Sequence, residues 1–202
     1  MCITNTWRWD FLRENERIIM IAKGVLTIQT VYLVSGPAGV GKSTTSRALA
    51  KALPNSAYIS GDAVSHMHVN GREKPWESQS ELSLIWQNIW RLTSNFITHG
   101  VDVVVDYVTF PEEAKWLHKQ LIALNTNIVY VVLWTDKATL LQRDQTRLPQ
   151  HQMGERCLIL IDEFEDAGLE SIHFLDTSLH QIENLNEIID DIRSNHRYRL
   201  KS

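Results

Sequence analysis

Cysteine is nearly absent. The 202-residue chain has only Cys2 and Cys157, at no metal-ligand spacing. Two isolated thiols build neither a disulfide framework nor a structural zinc site, and they point to a reducing, cytoplasmic setting. Massed positive charge is also missing: 20 basic residues are scattered among 24 acidic ones, for a net charge of −4. A protein that tracks a nucleic-acid backbone needs a basic stripe, so nucleic acid is not an expected partner. No apolar run reaches the about 20 residues that a membrane-spanning helix requires. Ile18–Ala22 and Val25–Ile28 are apolar but parted by Lys23 and Gly24, and Asp10, Glu14 and Glu16 stand where an export signal would be basic. No internal repeat, low-complexity stretch or linker divides the chain. The expectation is one domain over residues 30–202, an N-terminal extension over 1–29 to which no role is assigned, and no membrane partner.

What is present is GPAGVGKST, Gly36 to Thr44, which fits the phosphate-binding pattern G-x-x-x-x-G-K-[S/T]. The short apolar run Thr30–Ser35 precedes it and reads as a buried strand. Ser43 to Leu53 follows, with Ala48, Leu49, Ala52 and Leu53 at helical spacing. Strand, glycine loop and helix is the setting in which the pattern has physical meaning. Glycines let successive N–H groups converge on one concavity, and the helix N-terminus adds partial positive charge. Gly36, Ala38, Gly39, Val40, Gly41, Lys42, Ser43 and Thr44 are therefore the expected nucleotide-binding residues. Lys42 supplies a mobile charge for the β- and γ-phosphates, and the Ser43 hydroxyl is a hard ligand suited to Mg²⁺.

The remainder alternates strand and helix. Strands are read at Ala57–Ser60, Val101–Val105, Ile128–Trp134 and Ile172–Leu175. Ser78-x-x-Glu81 and Thr109-x-x-Glu112 read as capping boxes, each opening a helix. Leu82, Ile85, Trp86, Ile89, Thr93 and Phe96 form the buried stripe of the first. Thr135-Asp136 caps a helix carrying Arg143 and Arg147, residues 147–156 form a polar lid, and Gln181 to Asn195 is the last helix. The fold class is thus α/β: a five-stranded parallel sheet with helices on both faces.

Ligands bind beyond the carboxyl ends of parallel strands, which places Asp62 and Asp106 toward the phosphates. Either carboxylate could instead be a helix cap. The base-reading Asn-Lys-x-Asp of a GTPase is absent, and Asp106 lacks the x-x-Gly that would follow it there.

Residues 30 to 195 resemble the P-loop small-molecule kinases of the nucleoside-monophosphate-kinase-like group, such as gluconate kinase, shikimate kinase and chloramphenicol phosphotransferase. The resemblance rests on GPAGVGKST, Ser60-Gly61-Asp62, the strand ending at Asp106, Arg143-x-x-x-Arg147 before the lid, and Asp176-Thr177-Ser178. It implies a P-loop NTPase fold with a lid, ATP and Mg²⁺ as cofactors, and γ-phosphoryl transfer to a hydroxyl of a small molecule. It also implies roles: Asp62 as base or substrate-orienting carboxylate, Ser43 and Asp106 at the metal, Arg143 and Thr177 at adenine, and Arg147 and Arg156 with Lys42 at the phosphates. Arginine suits both tasks because its planar fork stacks and binds phosphate oxygens bidentately. His66, His68, Arg72, Trp76 and Tyr107 fall on segments expected to wall the acceptor pocket. The competing reading is a nucleotide-binding regulatory module with little transferase activity.

Overall fold

The computed structural model describes residues 28–147, 149, 152–178 and 184–201. Expectations for residues 1–27, for the middle of the lid and for Gln181 and Ile182 lie outside the described residues. Five strands form one parallel sheet in the order β2-β3-β1-β4-β5: β1 (Thr30–Ser35), β2 (Ser56–Ser60), β3 (Asp102–Asp106), β4 (Asn127–Trp134) and β5 (Phe174–Asp176). Seven α-helices are described: α1 (Lys42–Ala52), α2 (Gly61–Ser65), α3 (Gln79–Thr98), α4 (Pro111–Leu121), α5 (Lys137–Gln145), α6 (Glu155–Asp166) and α7 (Leu185–Ser194). The expected fold class stands.

β1, β3 and β4 are continuously apolar because both faces of the sheet are covered. Their alternation sorts side chains between two cores. Val31 and Leu33 pack with Ile85 and Ile89 of α3 and Leu117 of α4. Tyr32 and Val34 pack with Leu49 of α1 and Ile188 and Ile192 of α7. Trp86 is buried edge-on to Tyr107, with ring centroids 5.8 Å apart, and Trp90 meets Trp116 at 6.2 Å.

β1 is the central strand, flanked by β3 and β4, so the strand order reverses beside it. Such a switch point opens a crevice at the carboxyl ends. The register brings Val34 opposite Asp106 and Asp106 opposite Ser60, so the loops after β1, β2 and β3 share one rim.

Both capping boxes differ from expectation. The Ser78 hydroxyl accepts the Glu81 N–H at 3.4 Å, but the Glu81 carboxylate turns away to Nδ1 of His68 at 2.8 Å. The second cap moves one residue along. Phe110 is the N-cap, and Glu113, not Glu112, accepts its N–H at 2.9 Å. Thr109 is drawn inward instead: its N–H donates to the Ser35 hydroxyl and its carbonyl accepts from that hydroxyl, both at 2.8 Å. Tyr130 donates to the same carbonyl at 2.7 Å. These buried bonds tie the end of β1 to the loop after β3, and they set where Glu113 falls.

Candidate active site

The Gly36–Gly41 loop joins β1 to α1. Gly36 has φ 133°, and a Cβ there would lie 2.3 Å from the carbonyl oxygen of Leu133. No other residue fits so close to backbone. Gly41, at φ 108°, leads into α1 in a left-handed conformation, and Ser43 and Thr44 are exposed at the helix N-terminus. Lys42 Nζ donates to the Pro37 carbonyl at 2.9 Å. Burial pulls its ammonium down to about 8, against the opposing pull of the Asp106 and Asp62 charges. Val40 belongs to the core, 3 % exposed, and contributes only its carbonyl here.

Asp106 is buried at the end of β3, and its Oδ2 accepts the Tyr58 hydroxyl at 2.6 Å. Arg47 of α1 lies over the Tyr58 ring, 5.3 Å from its centroid. Burial, and then the bond to Asp106, push the Tyr58 phenol above its ordinary value. Asp62 is the second residue of α2, yet it is not the cap. The Ser60 hydroxyl takes that place, accepting the Ala63 N–H at 3.3 Å. The Asp62 carboxylate is exposed on the cleft wall and, among the described residues, has no hydrogen-bond partner.

Arg143 links the loop to the strand beyond it. Its Nη1 donates to the Val40 carbonyl at 3.4 Å and to Thr177 Oγ1 at 3.2 Å, and Nη2 donates to the Thr177 carbonyl at 2.8 Å. Thr177 is 4 % exposed and gives its hydroxyl to the Trp134 carbonyl at 2.9 Å, so its side chain faces the sheet. Arg147 reaches the cleft with Nη1 3.3 Å from Asp144 Oδ1. Arg156 is bidentate on Glu163, at 2.7 and 3.0 Å, and its guanidinium lies 5.6 Å from the Trp76 ring centroid.

Two acidic residues escaped the sequence reading. Asp144, buried within α5, accepts the Met153 N–H at 3.0 Å and the Gly154 N–H at 2.9 Å, besides Arg147. Burial works against its charge, but these bonds hold its carboxyl below the usual range. It therefore pins Met153 and Gly154, just before α6, to α5. Its one sequence signal was its place between the two arginines. Glu113 lines the cleft, and burial raises its carboxyl. Its signal was the capping box, misread by one residue.

The cleft holds about 410 Å³. It brings together Gly39, Gly41, Lys42, Ser43, Asp62, Asp106 and all three arginines, with Trp76 and Tyr107 opposite the loop. Gly36, Val40 and Thr177 stand behind it, and His66, His68 and Arg72 are outside the lining. His66 Nδ1 pairs with the Asp62 carbonyl at 2.7 Å, and Arg72 Nε donates to Ser65 at 2.9 Å. Oxygens at Ser43 and the remaining Oδ1 of Asp106 are hard donors of the kind Mg²⁺ takes. Among the described residues no group of three His, Cys, Asp or Glu side chains could hold a metal alone. A cation here would complete its shell with phosphate oxygens and water, as Mg²⁺ at nucleotide sites does.

Residues 31–157 match the family described as AAA domain. No curated protein matches the chain. Among solved structures, a gluconokinase from Sinorhizobium meliloti 1021 shares 20% identity and covers 82% of this chain and 90% of its own, with a TM-score of 0.59. An APS kinase from Mycobacterium tuberculosis, in complex with AMPPNP and APS, shares 19% identity over 83% of this chain and 98% of its own, at TM-score 0.59. A tunicamycin resistance protein from Deinococcus radiodurans shares 15% identity over 82% and 94%, at TM-score 0.54. The chain has the fold of these proteins. No described helix is long and apolar enough to cross a membrane.

Proposed function

The chain belongs to the AAA-domain family that residues 31–157 match, and on that premise we propose that it is an ATP-dependent phosphotransferase acting on a hydroxyl of a small cytoplasmic molecule. One observation carries the reading. Asp62 is spared from capping, has no partner among the described residues, and faces the cleft near enough for its charge to act on Lys42. An exposed carboxylate without structural work, beside a phosphate loop, suits a proton acceptor.

In this reading the loop N–H groups and Lys42 hold the triphosphate, and Arg143 and Arg147 line its path. Arg143 is fixed by Thr177, which serves as a positioning residue. The acceptor oxygen bonds to the γ-phosphorus, the bond from that phosphorus to the ADP oxygen breaks, and the hydroxyl proton passes to Asp62. Ser43 and Asp106 would hold Mg²⁺, which supplies charge neutralisation when bound. Tyr58, by its bond to Asp106, would orient that carboxylate.

Asp62→Asn tests this. Transfer to an acceptor should fall by about 10²–10⁴-fold, while the affinity for Mg-ATP stays within about twofold by calorimetry. Unchanged transfer would remove Asp62 from the chemistry. One observation favours the second reading, a nucleotide-binding module: Arg147 and Arg156 already have carboxylate partners in Asp144 and Glu163. That reading predicts ATP binding that depends on Lys42 but no phosphorylated product from any acceptor.

A further inference from the structure

The cleft has two walls of opposite character. The phosphate wall carries Lys42, Arg143 and Arg147. The facing wall is apolar, built from Trp76, Leu82, Val108, Phe110 and Leu160, and its two carboxylates are Asp62 and Glu113. The two cations beside Trp76 are already paired: Arg156, which lines the cleft, is bidentate on Glu163, and Lys74 lies 3.0 Å from Glu77. Arg72 stands outside the lining and gives its Nε to the Ser65 hydroxyl.

A carboxylate or phosphate ester entering here would lose water beside two acidic side chains, and among the described residues the cation lining this wall, Arg156, already holds a carboxylate. That arrangement is costly. A flat apolar ring would meet Trp76, half exposed at 52 %, and the aliphatic and aromatic groups around it. Such a surface is what ring-bearing ligands bury against. Glu113 uses Oε2 to cap α4 through the Phe110 N–H. Beyond that bond and its own backbone N–H, the carboxylate has no hydrogen-bond partner among the described residues, so it retains capacity to accept a ligand N–H or O–H.

Building on the phosphotransferase reading, we propose that the acceptor is a neutral or cationic alcohol bearing a flat apolar ring, not a sugar acid or a phosphate ester. The ring packs against Trp76, Leu82 and Phe110, and a polar hydrogen on it is received by Glu113.

The test separates acceptor class from phosphoryl transfer. The full chain with Mg-ATP meets one panel of uridine, thymidine, chloramphenicol and an aryl amino alcohol, and a second of gluconate, shikimate and 3-phosphoglycerate. Product mass reads transfer, and calorimetry with Mg-AMPPNP reads acceptor binding independently. A first-panel compound should gain one phosphate. Glu113→Gln, which keeps an oxygen for the α4 cap, and Trp76→Ala should each raise the acceptor KM about tenfold, with the KM for ATP unchanged. Transfer confined to the second panel overturns the acceptor class and leaves the phosphotransferase reading standing. Glu113-dependent binding of first-panel compounds without transfer does the reverse. Failure of every first-panel compound to bind or react overturns the inference, as does a Glu113→Gln variant whose acceptor KM is unmoved.

Discussion

The two walls of the cleft are made of different material. The phosphate wall is mainly backbone, a nine-residue contiguous stretch held between β1 and the N-terminus of α1. The acceptor wall is side chains, gathered from α2, the Trp76 loop, α3, the loop after β3, α4 and α6. Backbone recognition is indifferent to most side-chain identities but intolerant of displacement. Side-chain recognition is the opposite. One wall can thus stay the same among proteins that share this fold while the other sets what is bound.

Two glycines break the comparison most sharply. At Gly36 an added Cβ would meet the Leu133 carbonyl oxygen at 2.3 Å, with φ at 133°. Backbone of the neighbouring strand cannot yield, so Gly36→Ala should cost about 3 kcal/mol of stability or more and weaken ATP binding by about a hundredfold. At Gly61 the added Cβ would meet Tyr107 Cδ2 at 2.2 Å, Cγ at 2.3 Å and Cβ at 2.7 Å, so Tyr107 and the loop after β3 must shift, at a cost in stability on the acceptor wall and not at the phosphate loop. Gly61→Ala should leave ATP affinity within about twofold while raising the acceptor KM about tenfold. Thermal denaturation and titration with Mg-AMPPNP measure both. Equal loss of nucleotide binding in the two variants would show that the walls are not separable.

The same division governs what the sequence could show. The loop was legible because its chemistry is contiguous and its strand and helix flank it directly. Asp62 and Asp106 were legible through a rule about strand ends, without knowledge of their partners. Tyr58 was not, because nothing local links it to a carboxylate 48 positions away. Glu113 was missed because the cap slides by one residue, and the slide is caused by Ser35 binding Thr109 across 74 positions. The Ser78 box failed for a like reason, since Glu81 found His68 instead of its own helix end. Arg156 was placed toward the phosphates without its partner Glu163, two turns along the same helix, and Thr177 without its bond to the Trp134 carbonyl, which is set by packing between β4 and the end of β5.

A smaller effect is expected where Met153 and Gly154 are tied to α5. Asp144 receives two backbone N–H groups from Met153 and Gly154 and the Arg147 guanidinium. Asp144→Asn replaces one accepting oxygen with a donor and removes the charge. It should cost about 2 kcal/mol and speed amide hydrogen exchange at Met153 and Gly154. Transfer should fall about tenfold through a looser Arg147, with little change in ATP affinity. Because the folded carboxyl titrates below its ordinary value, its stabilisation is fully present above that ordinary value. It fades as pH falls through the lower, folded one. Exchange at Met153 and Gly154 unmoved by Asp144→Asn would mean that this segment is anchored elsewhere.

The mildest effect concerns Lys42, which bonds back to the Pro37 carbonyl of its own loop yet feels charges from both walls. The Lys42 ammonium, ordinarily near 10.5, is pulled down to about 8 by burial, and Asp106 and Asp62 resist that pull. In the unliganded protein it is charged below about pH 8 and increasingly neutral above. Triphosphate oxygens favour the ammonium, so binding at pH 8.5 should draw in a fraction of a proton, and binding at pH 6.5 should draw none through Lys42. Calorimetry with Mg-AMPPNP in buffers of different ionisation enthalpy reads this directly, and Lys42→Arg, always protonated, should abolish it. The linked effect on folding has the opposite sense. The unfolded chain keeps this proton to a higher pH than the folded one, so the destabilisation from burying the charge is relieved as pH rises from about 8 toward 10.5. Nucleotide affinity should therefore fall over the range where Lys42 ceases to strain the unliganded fold. Asp62→Asn should lower the Lys42 value further and move proton uptake to lower pH, because the Asp62 charge is one of those that raise it. Uptake at an unchanged pH in that variant would mean the walls are electrically independent, and Asp62 would then act on the acceptor alone.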